Sequence, residues 1–216
     1  MVAALAAVIV SVAVLPSAAH AVPSANQKPA LMVLNAPPVS PERMTGYDRD
    51  DFDHWSDLDG DGCDTREEVL ISERISGTVS GCTVIGGRWR SAYDGIITSD
   101  PSGFDVDHRV PLADAYASGA WRWTADTKER FANDLAFSPA LIAVTASSNR
   151  SKGDRDPAEW MPPLAGQRCG YLKQWIAVKF RWGLAVDSAE KSAITRLLDG
   201  CSPLMRVPGR AVVETR

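Results

Sequence analysis

The chain has 216 residues, of which 45 % are hydrophobic and 23 % charged, enough for one domain with a packed core and too few to expect two. Its formal net charge of −4 excludes a uniformly basic nucleic-acid-binding surface. That sum hides an asymmetry: residues 48–68 hold ten acidic side chains against Arg49 and Arg66, a local net of −8, which leaves the rest of the chain at +4. A cation held in the acidic segment would leave a surface able to meet a phosphate backbone.

In chain order, Val2 to Leu15 is apolar apart from Ser11, and Ala19-His20-Ala21 has the small-x-small pattern of a signal-peptidase site. Residues 1–21 therefore read as a secretion signal, although no Lys or Arg precedes the apolar run. The run is shorter than the roughly 18 to 20 residues a bilayer span needs, so no membrane association is expected after cleavage. Residues 22–45 contain five prolines and little periodicity and read as a tethering linker. The globular domain is expected over 46–203, followed by a tail at 204–216. Strands are expected at 82–91, with Cys82 to Ile85 and Arg88 to Arg90 flanking a Gly86-Gly87 hairpin turn. Further strands are expected at Ile96 to Thr98, Phe104 to His108 and Leu141 to Val144. Helices are expected from Pro111 to Ser118, from Ala125 to about Asn133 with Thr124 as N-cap, and from Gln167 to about Trp182. The last of these carries Tyr171, Trp175, Val178 and Trp182 on one apolar face. A final helix runs from Ser188 to Asp199, opened by an Asp187/Glu190 capping box and ended by Gly200. Few strands and several short helices make the fold class α+β.

Four cysteines follow the signal: Cys63, Cys82, Cys169 and Cys201. Three pairings can be written. Cys63–Cys82 with Cys169–Cys201 is preferred because each bridge closes a local loop on either side of the segment discussed next. A four-cysteine zinc site is disfavoured, since no C-x-x-C pair is present.

The chemistry-bearing residues are Asp105-Val106-Asp107-His108-Arg109-Val110-Pro111 and, about forty residues on, Ser148-Asn149-Arg150-Ser151-Lys152-Gly153-Asp154. Beyond the signal only His54 and His108 remain as histidines, and an imidazole is the side chain best suited to deprotonate water near neutral pH. The Asp107 carboxylate and the Asn149 amide oxygen are hard donors suited to Mg²⁺, with Mn²⁺ as the alternative. Such an ion would stabilise charge on a scissile phosphate. Asp107 and His108 point to opposite sides of an extended strand, so one can face an ion and the other an attacking water. Lys152, three residues after Asn149, shares its helical face and can meet phosphate oxygens; Arg150 and Arg109 are further phosphate candidates.

At these residues the chain resembles the HNH, or ββα-metal, nucleases, and within them the exported HNH endonuclease family of actinobacterial type. The resemblance spans roughly Tyr47 to Cys201. It rests on Trp89…Tyr93, Asp105-x-Asp107-His108-x-x-Pro111-Leu112, Phe131-Ala132-Asn133-Asp134, Asn149-Arg150-Ser151-Lys152-Gly153-Asp154 and Trp160-x-Pro162-Pro163. It implies a small ββα-metal core elaborated by further strands and helices, and an endonuclease acting on DNA, or RNA as the alternative, with weak sequence preference and as a monomer. It implies His108 as general base, Asp107 as a metal ligand, and Asn149, at the start of the motif's helix, as the second protein ligand. The family's middle Asn, which holds the ββ loop, falls nine residues before Asn149, where this chain has Ala140; Asn133 or Ser138 is the expected substitute. Plainer readings exist for each piece: Asp-His pairs are common in loops, an Asn ahead of a helix is ordinarily a cap, and Phe131 to Leu135 reads as a helix end. The order and spacing of the whole set favour chemistry.

A second cation site is legible at Asp57-Leu58-Asp59-Gly60-Asp61-Gly62-Cys63-Asp64-Thr65-Arg66-Glu67-Glu68. It meets the EF-hand loop pattern, with Asp57, Asp59 and Asp61 at positions 1, 3 and 5, Cys63 at 7 and Glu68 at 12. Structural Ca²⁺ is the expectation, against a disulfide-anchored acidic turn without an ion. His54 is expected beside Trp55 rather than in catalysis. Of the seven tryptophans, Trp160 is the one placed to stack on a base. Two non-nuclease readings remain open from sequence: a calcium-stabilised extracellular module without enzymatic activity, and an HNH fold that binds nucleic acid without cutting it.

Overall fold

The computed structural model describes residues 26–216; the secretion signal expected at 1–21 lies outside them. Strand β1 (Gln27–Pro29) leads directly into helix α1 (Ala30–Leu34). Ala30, Val33 and Leu34 are buried in the main core. Residues 26–45 are therefore not a free tether, because an apolar one-turn face outweighs the proline content of its surroundings. Helix α2 (Thr65–Glu73), which the sequence reading passes over, starts on an Asp64/Glu67 capping box with both reciprocal hydrogen bonds formed.

Strands β2 (Ser76–Ser80), β3 (Thr83–Arg90) and β4 (Ile97–Thr98) form an antiparallel sheet in that order. The Gly86-Gly87 pair is no hairpin turn: β3 runs through it, and the turn lies at Gly81-Cys82 instead. The register of β2 against β3 shifts between Ser76 and Thr78, where the two glycines oppose Gly77 in a bulge. Gly86 sits at φ +62°, the left-handed conformation a bulge of this kind needs.

Strand β5 (Phe104–His108) is as expected from the sequence, followed by α3 (Leu112–Ala117) and by α4 (Ala125–Ala132), whose cap Thr124 accepts from the backbone of Thr127. Strand β6 (Leu141–Thr145) pairs antiparallel with β5 over its full length, from Phe104↔Thr145 to His108↔Leu141. Helix α5 (Ala146–Lys152) follows without a loop and packs on both strands. Helices α6 (Arg168–Trp182) and α7 (Ser188–Leu198) complete the layer, and Tyr171, Trp175, Val178 and Trp182 are all buried. The final strand, β7 (Leu204–Arg206), pairs with β1. The tail is docked at its far end too, where Thr215 bridges Trp123 and the Arg216 amide donates to Arg122 O.

The result is a mixed α+β fold with two cores. The larger gathers around α6; the smaller packs Val69 and Leu70 of α2 against Trp89, Phe104, Val106, Leu141 and Ala143. Bridges Cys63–Cys82 and Cys169–Cys201 are both formed.

Candidate active site

Alternation along β5 divides its side chains between the two faces of the β5–β6 ribbon. Phe104, Val106 and His108 share the face that carries the smaller core; Asp105, Asp107 and Arg109 share the other, toward α5.

His108 is buried, at 6 % exposure. Its Nε2 lies 2.8 Å from the Ala132 carbonyl oxygen at the end of α4. A carbonyl can only accept, so Nε2 carries the ring proton and Nδ1 keeps its lone pair. Burial pushes the imidazole pKa down to about 4, despite the carbonyl bond and the nearby Asp107 carboxylate, both of which raise it. The ring is therefore neutral at physiological pH, with Nδ1 lacking a partner among the described residues. Trp55 and Phe131 lie nearly parallel to it at centroid distances of 5.6 and 6.5 Å. His54 packs against Trp55 as expected, and also stands 6.4 Å from His108. Asn133 ties this loop down: its Oδ1 accepts from the Ser56 amide and its Nδ2 donates to the Asp53 and Glu129 carbonyls. The position of the absent middle Asn contributes only its backbone, Ala140 O accepting from the Arg109 amide at 2.8 Å.

On the α5 face the geometry departs from the sequence expectation. Asp107 is not free to meet an ion: Lys152 Nζ lies 2.9 Å from Oδ1 and 2.8 Å from Oδ2, and the Tyr93 hydroxyl donates to Oδ2 at 2.5 Å. Lys152 is fully buried and also donates to the His108 carbonyl. It holds β5 to α5 and does not present itself to phosphate. Arg109, at 2 % exposure, packs over the Tyr93 and Tyr171 rings and is likewise no surface phosphate contact. Arg150 is exposed. Asn149 is the fourth residue of α5, not its start; Thr145 is the cap. Its Nδ2 donates to Asp105 Oδ2 at 3.0 Å. The i, i+2 spacing of Asp105 with Asp107, legible in the sequence, places both carboxylates on one face. Among the described residues Asp105 Oδ1 and Asn149 Oδ1 have no partner, and both side chains are half-buried. A carboxylate and an amide oxygen side by side fit Mg²⁺ or Mn²⁺ as donors.

The structure thus joins Asn149 to Asp105 and Lys152 to Asp107, and brings Asn149 to neither Asp107 nor His108. A cavity of about 560 Å³ lies elsewhere, lined in part by Lys173, Arg181 and Arg206. Trp160 is no base-stacking platform: it is buried against Tyr93 and Tyr171 and donates to Ser151 Oγ. In the acidic loop, carboxylate oxygens of Asp57, Asp59 and Asp61 lie within 4.8 Å of one another. Burial and the charges of Asp59, Asp61 and Asp57 raise the Glu68 carboxyl. An exit helix follows, but only a short 3-10 turn at 49–51 precedes the loop.

Residues 64–197 match the family model described as GmrSD restriction endonucleases, C-terminal domain, an HNH-type nuclease family. A protein of Arthroderma benhamiae named an uncharacterized secreted protein is 44 % identical over 182 residues, covering 83 % of this chain and 87 % of its own length. No solved structure matches.

Proposed function

Because the chain belongs to the family of GmrSD restriction endonuclease C-terminal domains, we propose that it is a secreted, metal-dependent endonuclease that hydrolyses phosphodiester bonds of DNA, with RNA as a second substrate. The secreted relative supports the compartment, and two disulfides fit an oxidising one. The observation that carries the reading is His108. Its Nε2 proton is pinned on a backbone carbonyl, so Nδ1 carries the lone pair that would take a proton from water.

Asp105 and Asn149, on the face of the ribbon opposite His108, would hold the divalent ion, which when bound supplies charge stabilisation at phosphate oxygens; this separation of ion and base favours binding over cutting. Asp107 and Lys152 act one step back, as a buried pair that fixes the end of β5 and, through the His108 carbonyl, the base itself. Trp55, Phe131 and the Asn133-bonded loop fix the plane of the imidazole. Exposed Arg150, the residue next to Asn149, is a cation available to the phosphate backbone. The acidic loop at 57–68 is read as a structural Ca²⁺ site.

His108→Ala should abolish nicking of supercoiled plasmid, a loss of at least about 100-fold, while circular dichroism shows the fold retained and Tm falls, because the variant leaves a cavity and an unpaired Ala132 carbonyl. Lanes with Mg²⁺, Mn²⁺, Ca²⁺ and EDTA on DNA and RNA define the metal and substrate. Undiminished digestion by the variant sinks the assignment. The occupied state of Asp107, both oxygens taken by Lys152 and Tyr93, favours a second reading, a nucleic-acid binder that does not cut. It predicts a gel shift with no cleavage in any metal lane.

A further inference from the structure

A second group of carboxylates is gathered from α3, the segment after α5 and the start of α7. Ligand oxygens of Asp156, Asp187 and Glu190 fall within 4.8 Å of one another. Asp156 follows α5, Asp187 caps α7 and Glu190 occupies its first turn. Asp114 of α3 neighbours this group: one ammonium, Lys179 Nζ on α6, touches both Asp114 Oδ1 at 2.8 Å and Glu190 Oε2 at 2.9 Å. Asp114, Asp156 and Glu190 are buried, at 4 %, 8 % and 0 % exposure. Four carboxyl groups thus face a single buried cation, and burial raises those of Glu190 and Asp156, because unpaired charge is costly there.

The hydrogen bonds leave a consistent remainder. Asp156 Oδ1 accepts from the Ala158 and Glu159 amides, and Asp187 Oδ1 from the Ala189 and Glu190 amides. Glu190 is fully engaged by Trp175 Nε1, Lys179 and the Asp187 amide. The second oxygens of Asp156 and Asp187 are unclaimed among the described residues. Asp114 Oδ2 is fully buried with no partner at all. Exposed Glu42 is close enough to feel the group, its carboxyl raised by partial burial and by the charges of Asp114 and Asp187.

We propose that this pocket binds one calcium ion through Asp156 and Asp187, with the neighbouring Asp114, Glu42 and water completing the shell. All donors are hard oxygens, and no His or Cys is among them. Ca²⁺ takes six to eight oxygens in irregular arrangements, whereas Mg²⁺ demands a near-ideal octahedron that side chains from four separate chain segments are poorly placed to supply. The ion would tie α3, the segment after α5 and the start of α7 together. The proposal is independent of the nuclease reading.

The test uses the full chain with the other acidic loop silenced by Asp57→Asn, Asp59→Asn and Asp61→Asn. Tb³⁺ replaces Ca²⁺ and is excited through Trp175, whose indole nitrogen lies 2.5 Å from Glu190. The expected result is one saturable Tb³⁺ site per chain, displaced by Ca²⁺ in the roughly 10⁻⁴–10⁻³ M range of extracellular sites, and a Ca²⁺-dependent rise in Tm. Adding Asp156→Asn and Asp187→Asn, which keep the amide-accepting oxygens, should abolish both signals and raise Tm in EDTA by relieving repulsion. Should that variant not fold, Asp114→Asn alone, which still reaches Lys179, is expected to weaken Ca²⁺ at least tenfold. Absence of a Tb³⁺ or Ca²⁺ response in the loop-silenced chain overturns the proposal, as does a response that survives these substitutions.

Discussion

At the scale of single residues, burial decides what each charged group does. Lys152 is a phosphate ligand on its spacing alone and an internal counter-ion once its 0 % exposure is known. Removing one member of such a pair strands the other: Lys152→Met should lower stability by roughly 3–5 kcal/mol, and Asp107→Asn in the same chain should restore most of it. Urea unfolding of the single and double variants checks this; a Lys152→Met protein of normal stability that merely loses nucleic-acid affinity would return the residue to the surface role. Glu73 shows the same principle through pH. Burial raises its carboxyl from 4.5 to about 7, against the Ala143 amide bond and Arg109, which both lower it. Between those values the unfolded chain has lost the proton that the folded chain retains, so stability falls as pH rises through the window. Glu73→Gln, which still accepts from Ala143, should flatten this dependence and exceed the parent at pH 8 by up to about 3 kcal/mol, measured as urea midpoints at pH 4.5 and pH 8.

At the scale of elements, those with a strong local signal were legible. Thr124, Asp187 with Glu190, and the 3–4 spacing of Tyr171, Trp175, Val178 and Trp182 each carry their own physics, and α4, α6 and α7 follow. Phe104 to His108 reads as a strand running into a turn at Pro111, and Leu141 to Val144 as one because it is a short apolar run. Gly86-Gly87 misled because the same dipeptide serves a tight turn or a bulge, and only the partner strand distinguishes them. The bulge is demanding: a Cβ on Gly87 would lie 2.4 Å from Trp89 Cη2, an atom of the smaller core. Gly87→Ala should cost about 1–3 kcal/mol in thermal or urea unfolding, and a neutral result would show that Trp89 repacks freely. In the site, the Asp-His and Asn-x-x-Lys pieces were visible, but their pairing was not. Which carboxylate meets Asn149 depends on how α5 is rotated on the ribbon, a property of packing rather than of spacing.

At the scale of the whole molecule, the two chain ends close the fold on each other. Strand β1 pairs with β7, and Val33 and Leu34 fill the main core. A chain beginning at Gly46 should therefore lose about 3–6 kcal/mol relative to one beginning at residue 26, from those two side chains alone; equal Tm values for the two would mean that the segment is dispensable.

The amino-acid order by itself determined the α+β class, a preferred pairing of the cysteines among three, the capped helices α4 and α7, the apolar stripe of α6, and the family motif around His108 and Asn149. Each of these depends on residues within a few turns of chain, or on chemistry that any fold would retain. Only the tertiary structure decided that Lys152 and Arg109 are interior, that Asp105 rather than Asp107 meets Asn149, that the proline-rich segment is part of the core, and that Asp114, Asp156, Asp187 and Glu190 share one pocket. Desolvation and the convergence of distant charges arise when separate segments pack, and no local stretch of sequence contains them.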